Sequence, residues 1–175
     1  LQTRKSGSVY WTQSPDGVYR EMVAERTPAH RAAQHGHCSC LQVIADASTA
    51  AKKSLAAPDG TGRAPASWAA AHGHENCLRI IAGVAPESLL LPDASGATPA
   101  HWAARYGHKK CLRVLHELGA ARSLWAADTA EHPQRRYIIA KTRRRKGGST
   151  PAHYAAVQGE ADCLHELVRL RNEQL

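Results

Sequence analysis

Residues 98–115 read Thr98-Pro99-Ala100-His101-Trp102-Ala103-Ala104-Arg105-Tyr106-Gly107-His108-Lys109-Lys110-Cys111-Leu112-Arg113-Val114-Leu115, and their local chemistry decides the fold. The Thr98 hydroxyl can accept a backbone hydrogen bond as an N-cap, and Pro99 follows with its φ preset and no amide to satisfy. Ala100, Ala103 and Ala104 then recur on one helix face, small enough for another helix to approach closely. Gly107 lets the chain leave through a left-handed turn. A second helix follows from about His108, with Cys111, Leu112, Val114, Leu115 and Leu118 forming a broad apolar face and Lys109, Lys110 and Arg113 pointing outward. Gly119 ends it. The expected unit is helix, turn, helix.

The same unit is written three more times, as TPAHRAAQHGHCSCLQVI from Thr27, APASWAAAHGHENCLRII from Ala64 and TPAHYAAVQGEADCLHEL from Thr150. The copies therefore start near 27, 64, 98 and 150, and the last interval holds about 18 extra residues. Between copies, Pro58-Asp59-Gly60-Thr61-Gly62 and Pro92-Asp93-Ala94-Ser95-Gly96 have the composition of tight hairpins. The pattern resembles the ankyrin repeat family, whose mark is a Thr-Pro-Leu-His-x-Ala-Ala opening and a Gly-His turn. Here Ala29, Ala66, Ala100 and Ala152 stand where that family usually has Leu. The expected architecture is an all-α, ankyrin-type α-solenoid of about four helix-turn-helix repeats over residues 27–175. A basic insertion lies at about 120–149, and residues 1–26 form an N-terminal extension or degenerate cap.

Two copies depart from the pattern in ways with physical consequences. In the second, Ala64 and Ser67 replace Thr and His, so its internal hydrogen bonding should be weaker. In the fourth, Glu166 stands where the others carry Val43, Ile80 and Val114, and Glu160 replaces the turn histidine. A buried, unpaired carboxylate is costly, so Glu166 is expected to face water on an end repeat.

Composition narrows the class further. The chain has 32 alanines, no Phe and one Met among 175 residues, which favours closely packed helices over a sheet. Its apolar runs fall far short of the roughly 20 residues needed to span a bilayer. Leu1 opens a polar segment without Met or an apolar leader, so the sequence reads as a piece of a longer protein. Of the net charge of +8, six units fall between Ala120 and Ser149. That stretch contains Lys141, Arg143, Arg144, Arg145 and Lys146, which read as a solvated basic arm. Such a stretch is open to several readings: a surface insertion without a dedicated role, a nuclear-import or nucleic-acid element, a separate partner-binding finger, or an artefact of a mis-read gene. Trp125 and Tyr137-Ile138-Ile139 are candidates to dock the stretch on the array.

The pairs His37/Cys40, His74/Cys77 and His108/Cys111 share His-x-x-Cys spacing, which puts two ligands on one helix face. Zinc needs four ligands at about 2.0–2.3 Å, and pairs from stacked helices about 8–10 Å apart would not converge, so no metal is expected. The resemblance implies instead that the Gly-His residues organise the interhelix turn and that His30, His101 and His153 bond to hairpin backbone. Cys40, Cys77, Cys111 and Cys163 occupy one position of the second helix and are expected to be buried, reduced thiols. Cys38 lies outside that register and is expected to be more exposed. No phosphate loop, nucleophile elbow or paired carboxylates can be recognised, so neither enzymatic activity, cofactor nor small-molecule substrate is expected.

One register carries candidate contact residues: Arg31, Trp68, Trp102 and Tyr154 follow each opening motif. The resemblance places them toward the concave side. Packing between repeats is the main role weighed for these rings, with their edges left for a partner. The residues before each turn Gly vary between copies, as Gln34-His35, Ala71-His72, Arg105-Tyr106 and Val157-Gln158. Variation on a fixed scaffold is how a repeat array builds a specific surface. The candidate partner-binding set is Arg31, Gln34, His35, Trp68, His72, Trp102, Arg105, Tyr106, Tyr154 and Gln158, with Arg63 and Ala97 extending it at the hairpin tips. The third repeat is its expected centre. The expected function is a non-catalytic scaffold or adaptor, cytoplasmic or nuclear, that binds another protein; the alternative is a nuclear or nucleic-acid-associated protein acting through the basic arm.

Overall fold

A computed structural model describes residues 9–13, 19–23, 26–128 and 148–173. The first two segments are strands, β1 (Val9–Gln13) and β2 (Tyr19–Val23), paired antiparallel with Val9 opposite Val23 and Gln13 opposite Tyr19. Val, Tyr, Trp and Thr fill β1, residues that suit a pleated strand. The repeat periodicity gives no hint of this pair, which is an addition to the all-α array expected from it.

Each opening motif starts a helix at its proline: α1 (Pro28–Gln34), α4 (Pro65–Ala71), α6 (Pro99–Arg105) and α9 (Pro151–Gln158). Each is followed by a second helix: α2 (Cys38–Asp46), α5 (Glu75–Val84), α7 (Lys109–Glu117) and α10 (Ala161–Asn172). The first helices stack in one row and the second helices in another. Alanines make the first row tight: Ala29, Ala33, Ala66, Ala69, Ala100, Ala103 and Ala155 are all fully buried. Leu41, Leu78, Leu112 and Leu167 fill the space beneath the second row.

What reads as one connecting loop contains a further helical turn: α3 (Thr49–Lys53), a 3₁₀ turn at Pro86–Leu89 and α8 (Ala121–Trp125) follow the second helices in turn. Their anchors are Leu55, Leu89 and Leu124, all buried. Trp125 packs against the core with the Arg171 guanidinium 5.5 Å from its ring centroid. Tyr137, Ile138 and Ile139 lie outside the described residues.

The turn glycines set how closely repeats approach. Gly36 and Gly73 have φ of 71° and 77°, and a Cβ on them would lie 2.6 and 2.8 Å from the His74 and His108 rings of the following repeats. Each histidine covers the preceding turn and bonds its backbone, His74 Nε2 to Gln34 O at 3.1 Å and His108 Nε2 to Ala71 O at 3.1 Å. Glu160 lies over Gly107 in the fourth repeat, where its carboxylate has no N–H to give the turn carbonyl.

Three expectations from the sequence are corrected. Glu166 does not face water: it is 8% exposed, and Arg113 of the preceding repeat holds it through Nε at 2.9 Å and Nη2 at 3.1 Å. Cys40 is exposed although Cys77, Cys111 and Cys163 are buried. Cys38, expected to be the exposed thiol, is half-buried with its Sγ 2.8 Å from Cys77 Sγ. One cause accounts for all three. The Cys40 register points toward the preceding repeat, and so does that of Glu166, whereas Cys38 points toward the following one. Among the described residues no helix pair lies on that side of Cys40 and Val43, and Val43 is 70% exposed.

Candidate functional site

Each hairpin is organised by one aspartate. Asp59 Oδ1 accepts from the Thr61 amide, the Thr61 hydroxyl and the Arg63 amide, at 2.8, 2.6 and 3.1 Å. Asp93 Oδ1 does the same with the Ser95 amide and hydroxyl and the Ala97 amide. Asp128 Oδ1 takes the Gly148 and Ser149 amides, both at 2.9 Å. In sequence, residues 129–147 fill the interval that Gly60-Thr61 and Ala94-Ser95 fill in the other hairpins. The clamp that closes the other hairpins thus also joins Asp128 to Gly148 and Ser149.

The other carboxylate oxygen reaches the aromatic of the same repeat. Trp68 Nε1 donates to Asp59 Oδ2 at 3.0 Å, Trp102 Nε1 to Asp93 Oδ2 at 3.0 Å, and Tyr154 Oη to Asp128 Oδ2 at 2.7 Å. Burial pushes the Asp59 carboxyl up, but the bonds from Thr61, Trp68 and Arg63 outweigh it and hold the group below its ordinary value. An arginine from the preceding repeat covers two of the rings. The Arg26 guanidinium lies 3.9 Å from the Trp68 centroid and Arg63 lies 3.7 Å from that of Trp102, with Nε atoms 3.6 and 3.5 Å from Asp59 and Asp93. Arg63 also sits 5.1 Å from Trp68, and Arg105 5.5 Å from Trp102. The result is a ladder, Arg26–Trp68–Arg63–Trp102–Arg105, crossing three repeats.

Between these rungs run histidine bridges. The Thr27 and Thr98 amides donate to Nδ1 of His30 and His101, which leaves Nε2 as the protonated nitrogen. Nε2 then donates to a carbonyl of the next hairpin, Arg63 O for His30 and Ser149 O for His101, both at 3.0 Å. Burial pushes both imidazoles below their ordinary pKa. His153 keeps only the Thr150 half of the arrangement and is exposed. In the second repeat Ser67 is buried with its hydroxyl unpartnered, the cost of losing Thr and His there.

The family model for ankyrin repeats, described as three copies, matches residues 29–124 and again 86–174. The chain belongs to the ankyrin repeat family. Ankyrin repeats are generally protein–protein interaction modules and are typically non-enzymatic. A comparison with curated proteins returned no match. No helix among the described residues of this ankyrin array is long and apolar enough to cross a membrane.

The ankyrin geometry divides the candidate contact residues in two. Trp68, Trp102 and Tyr154 are interior, 8%, 3% and 6% exposed, and serve to pin hairpin to helix. Ala97 at the third hairpin is likewise buried. Arg31, His35, His72, Tyr106 and Gln158 are exposed, while Gln34 and Arg105 are half-buried. The structure joins several of these. Tyr106 stacks on Trp102 with centroids 6.2 Å apart, Arg105 lies 5.8 Å from the Tyr106 ring, and His72 stacks between Trp68 and His74. Arg26 Nη1 donates to Gln34 Oε1 at 3.3 Å. Lys141, Arg143, Arg144, Arg145 and Lys146 lie outside the described residues.

Reading one repeat at a time misses the roles of Asp59, Asp93, Asp128 and Arg26, and it gives Arg63 a place at a hairpin tip without its cover over Trp102. Their signal is an Asp at a fixed distance before the opening motif, visible in Pro58-Asp59 and Pro92-Asp93 but split from its Gly by the insertion at Asp128. Burial pushes the Cys77 and Cys111 thiols up to about 12 and Cys163 up to about 11, which leaves them thiols rather than thiolates at neutral pH. Among the described residues no three His, Cys, Asp or Glu side chains are grouped to hold a metal ion.

Proposed function

We propose that this chain is a non-catalytic scaffold or adaptor module acting inside the cell, in cytoplasm or nucleus, that binds another protein along its first helices and hairpins. Its repeat domain runs over 27–175, with 1–26 as an extension. Arg31, Gln34, His35, His72, Arg105, Tyr106 and Gln158 are the contact residues, and Val157, 68% exposed, joins them. Trp68, Trp102 and Tyr154 contribute from beneath by fixing the backbones that present those side chains.

The observation that carries the reading is Tyr106. It is half exposed, yet it stacks on a Trp102 ring whose N–H is tied to Asp93. An aromatic already held in place loses little rotamer freedom on binding and removes much apolar area from water. The test is capture from a nuclease-treated lysate by wild type and by a Tyr106→Ala/Val157→Ser variant whose fold is checked by circular dichroism. The variant should lose a protein that the wild type keeps; equal recovery by both would overturn this surface. The concentration of charge in Lys141, Arg143, Arg144, Arg145 and Lys146 supports a second reading, a nuclear or polyanion-binding role for the insertion. Deleting 141–146 would then abolish nucleic-acid binding that falls steeply between about 50 and 200 mM salt.

A further inference from the structure

The first-helix and hairpin side of the array is electrostatically one-sided. Its described segments, 26–35, 57–72, 91–106, 126–128 and 148–158, contain three carboxylates, Asp59, Asp93 and Asp128. All three are buried and consumed by turn amides and ring donors. The same segments carry Arg26, Arg31, Arg63 and Arg105. Apart from Glu21 on β2, the other described carboxylates belong to a second helix or the segments flanking it, as Arg113–Glu166 and Lys109–Asp162 illustrate.

We propose that the Arg63–Trp102–Arg105 end of this ladder is a binding site for an acidic peptide, whose Asp or Glu carboxylates meet the two guanidinium edges while an apolar residue beside them packs on Tyr106 and Val157. This deepens the proposed function and rests on its choice of surface. Three features carry it. The Arg63 plane is fixed twice, by the Trp102 face at 3.7 Å and by Asp93 at 3.5 Å, so its planar fork is oriented before a ligand arrives. Its side chain is still 22% exposed. Arg105, next along, has ring neighbours at 5.5 and 5.8 Å and no carboxylate within ion-pair distance among the described residues.

The second feature is that, among the described residues of these segments, no solvent-facing carboxylate competes for Arg63 and Arg105. The third separates peptide from nucleic acid. Single strands are held by aromatic faces on which bases stack. Here Trp68 lies under Arg26 and beside His72, and Trp102 lies between Arg63 and Tyr106, which leaves 8% and 3% of these residues exposed. The ladder offers forks for carboxylates but no indole face for a base.

The test uses fluorescence anisotropy of the intact chain with three labelled probes: a short Glu/Asp-rich peptide with one Leu-Leu step, its Gln/Asn counterpart, and single-stranded oligothymidine. The proteins are wild type, Arg105→Gln, Arg63→Lys, Tyr106→Ala/Val157→Ser and a second-helix control, Arg79→Gln. The acidic peptide should bind and the amide peptide should not. Arg105→Gln should weaken binding about ten-fold, the loss expected for one charge-assisted hydrogen bond. Arg63→Lys should weaken it while keeping the net charge, because the fork is lost, and Arg79→Gln should leave it unchanged. Arg105→Gln guards the test against misfolding of the more enclosed Arg63 position. Equal binding of acidic and amide peptides, tighter binding of oligothymidine, or insensitivity to Arg105→Gln would overturn the inference. If Tyr106→Ala/Val157→Ser loses the lysate partner while Arg105→Gln and Arg63→Lys keep it, the surface stands and its acidic preference falls; if all three keep it, both fall.

Discussion

The second repeat lacks the bridge that its neighbours have, so the bridge can be built there and weighed. In the first and third repeats, Thr27 and Thr98 pair with His30 and His101, and each imidazole reaches the following hairpin. In the second, Ala64 cannot cap and the Ser67 hydroxyl is buried without a partner. The carbonyl in the register of Arg63 O and Ser149 O is Ala97 O, which accepts from the Asp93 amide just as Arg63 O accepts from Asp59. The perturbation is Ala64→Thr/Ser67→His. A Thr N-cap in place of Ala is worth about 1 kcal/mol. The new imidazole-to-carbonyl bond adds about 1 kcal/mol net.

The sum, about 2 kcal/mol, corresponds to a rise in Tm of about 4–8 °C for a chain of this size. Urea and thermal unfolding followed by circular dichroism measure it. Ser67→Ala, which only removes the orphan hydroxyl, should stabilise by less than the double variant. The reverse change, His101→Ser, should cost about 2–3 kcal/mol, since it breaks the bonds to Thr98 and Ser149 O and removes the ring edge 5.1 Å from Tyr154. A double variant less stable than Ser67→Ala would refute the reasoning, because the imidazole would then be overpacking a site that its neighbours only resemble.

Acid should loosen the array before the carboxylates titrate. His30, His74 and His101 have folded pKa values below 6.5, so their contribution is complete above that unfolded value and is lost as pH falls toward the folded ones; a Tm lower at pH 5 than at pH 7.5, with the drop reduced in His74→Gln, is the expected result. Glu166 is held below its ordinary 4.5 chiefly by Arg113, so Glu166→Gln should lower Tm at pH 7 and lose that effect as pH falls from 4.5 through the lower folded value. Gly73→Ala should destabilise by more than about 1 kcal/mol, because φ is 77° and the new methyl would press on the His108 ring; His108→Ala in the same chain should relieve part of the loss. Alkylation followed by mass spectrometry should label Cys40 first, then Cys38, with Cys77, Cys111 and Cys163 reacting only on unfolding.

The parts of this molecule that lie within one repeat are legible in its sequence, and the parts that lie between repeats are not. The Thr-Pro opening, the Gly turn and the apolar face of the second helix act over a few residues, and each forms where the sequence places it. Burial of a given register depends on the neighbouring copy, which the repeat's own residues do not encode. Cys40 and Cys77 occupy one register and have opposite exposure, because among the described residues only Cys77 has a helix pair before it. Glu166 violates the apolar pattern of its register, and the compensation, Arg113, stands one repeat earlier.

The aromatic register, for which packing between repeats is the main role weighed from the sequence, depends on neighbours in the same way and with more consequence for function. A single repeat does not show what covers Trp68 and Trp102. The covering group is an arginine just before the previous opening motif, and the polar anchor is an aspartate before their own. Once those are in place, the indoles become supports and the arginines become the surface. On the proposed reading the face is cationic rather than aromatic, and a partner chosen by it would be selected for its carboxylates more than for its aromatics.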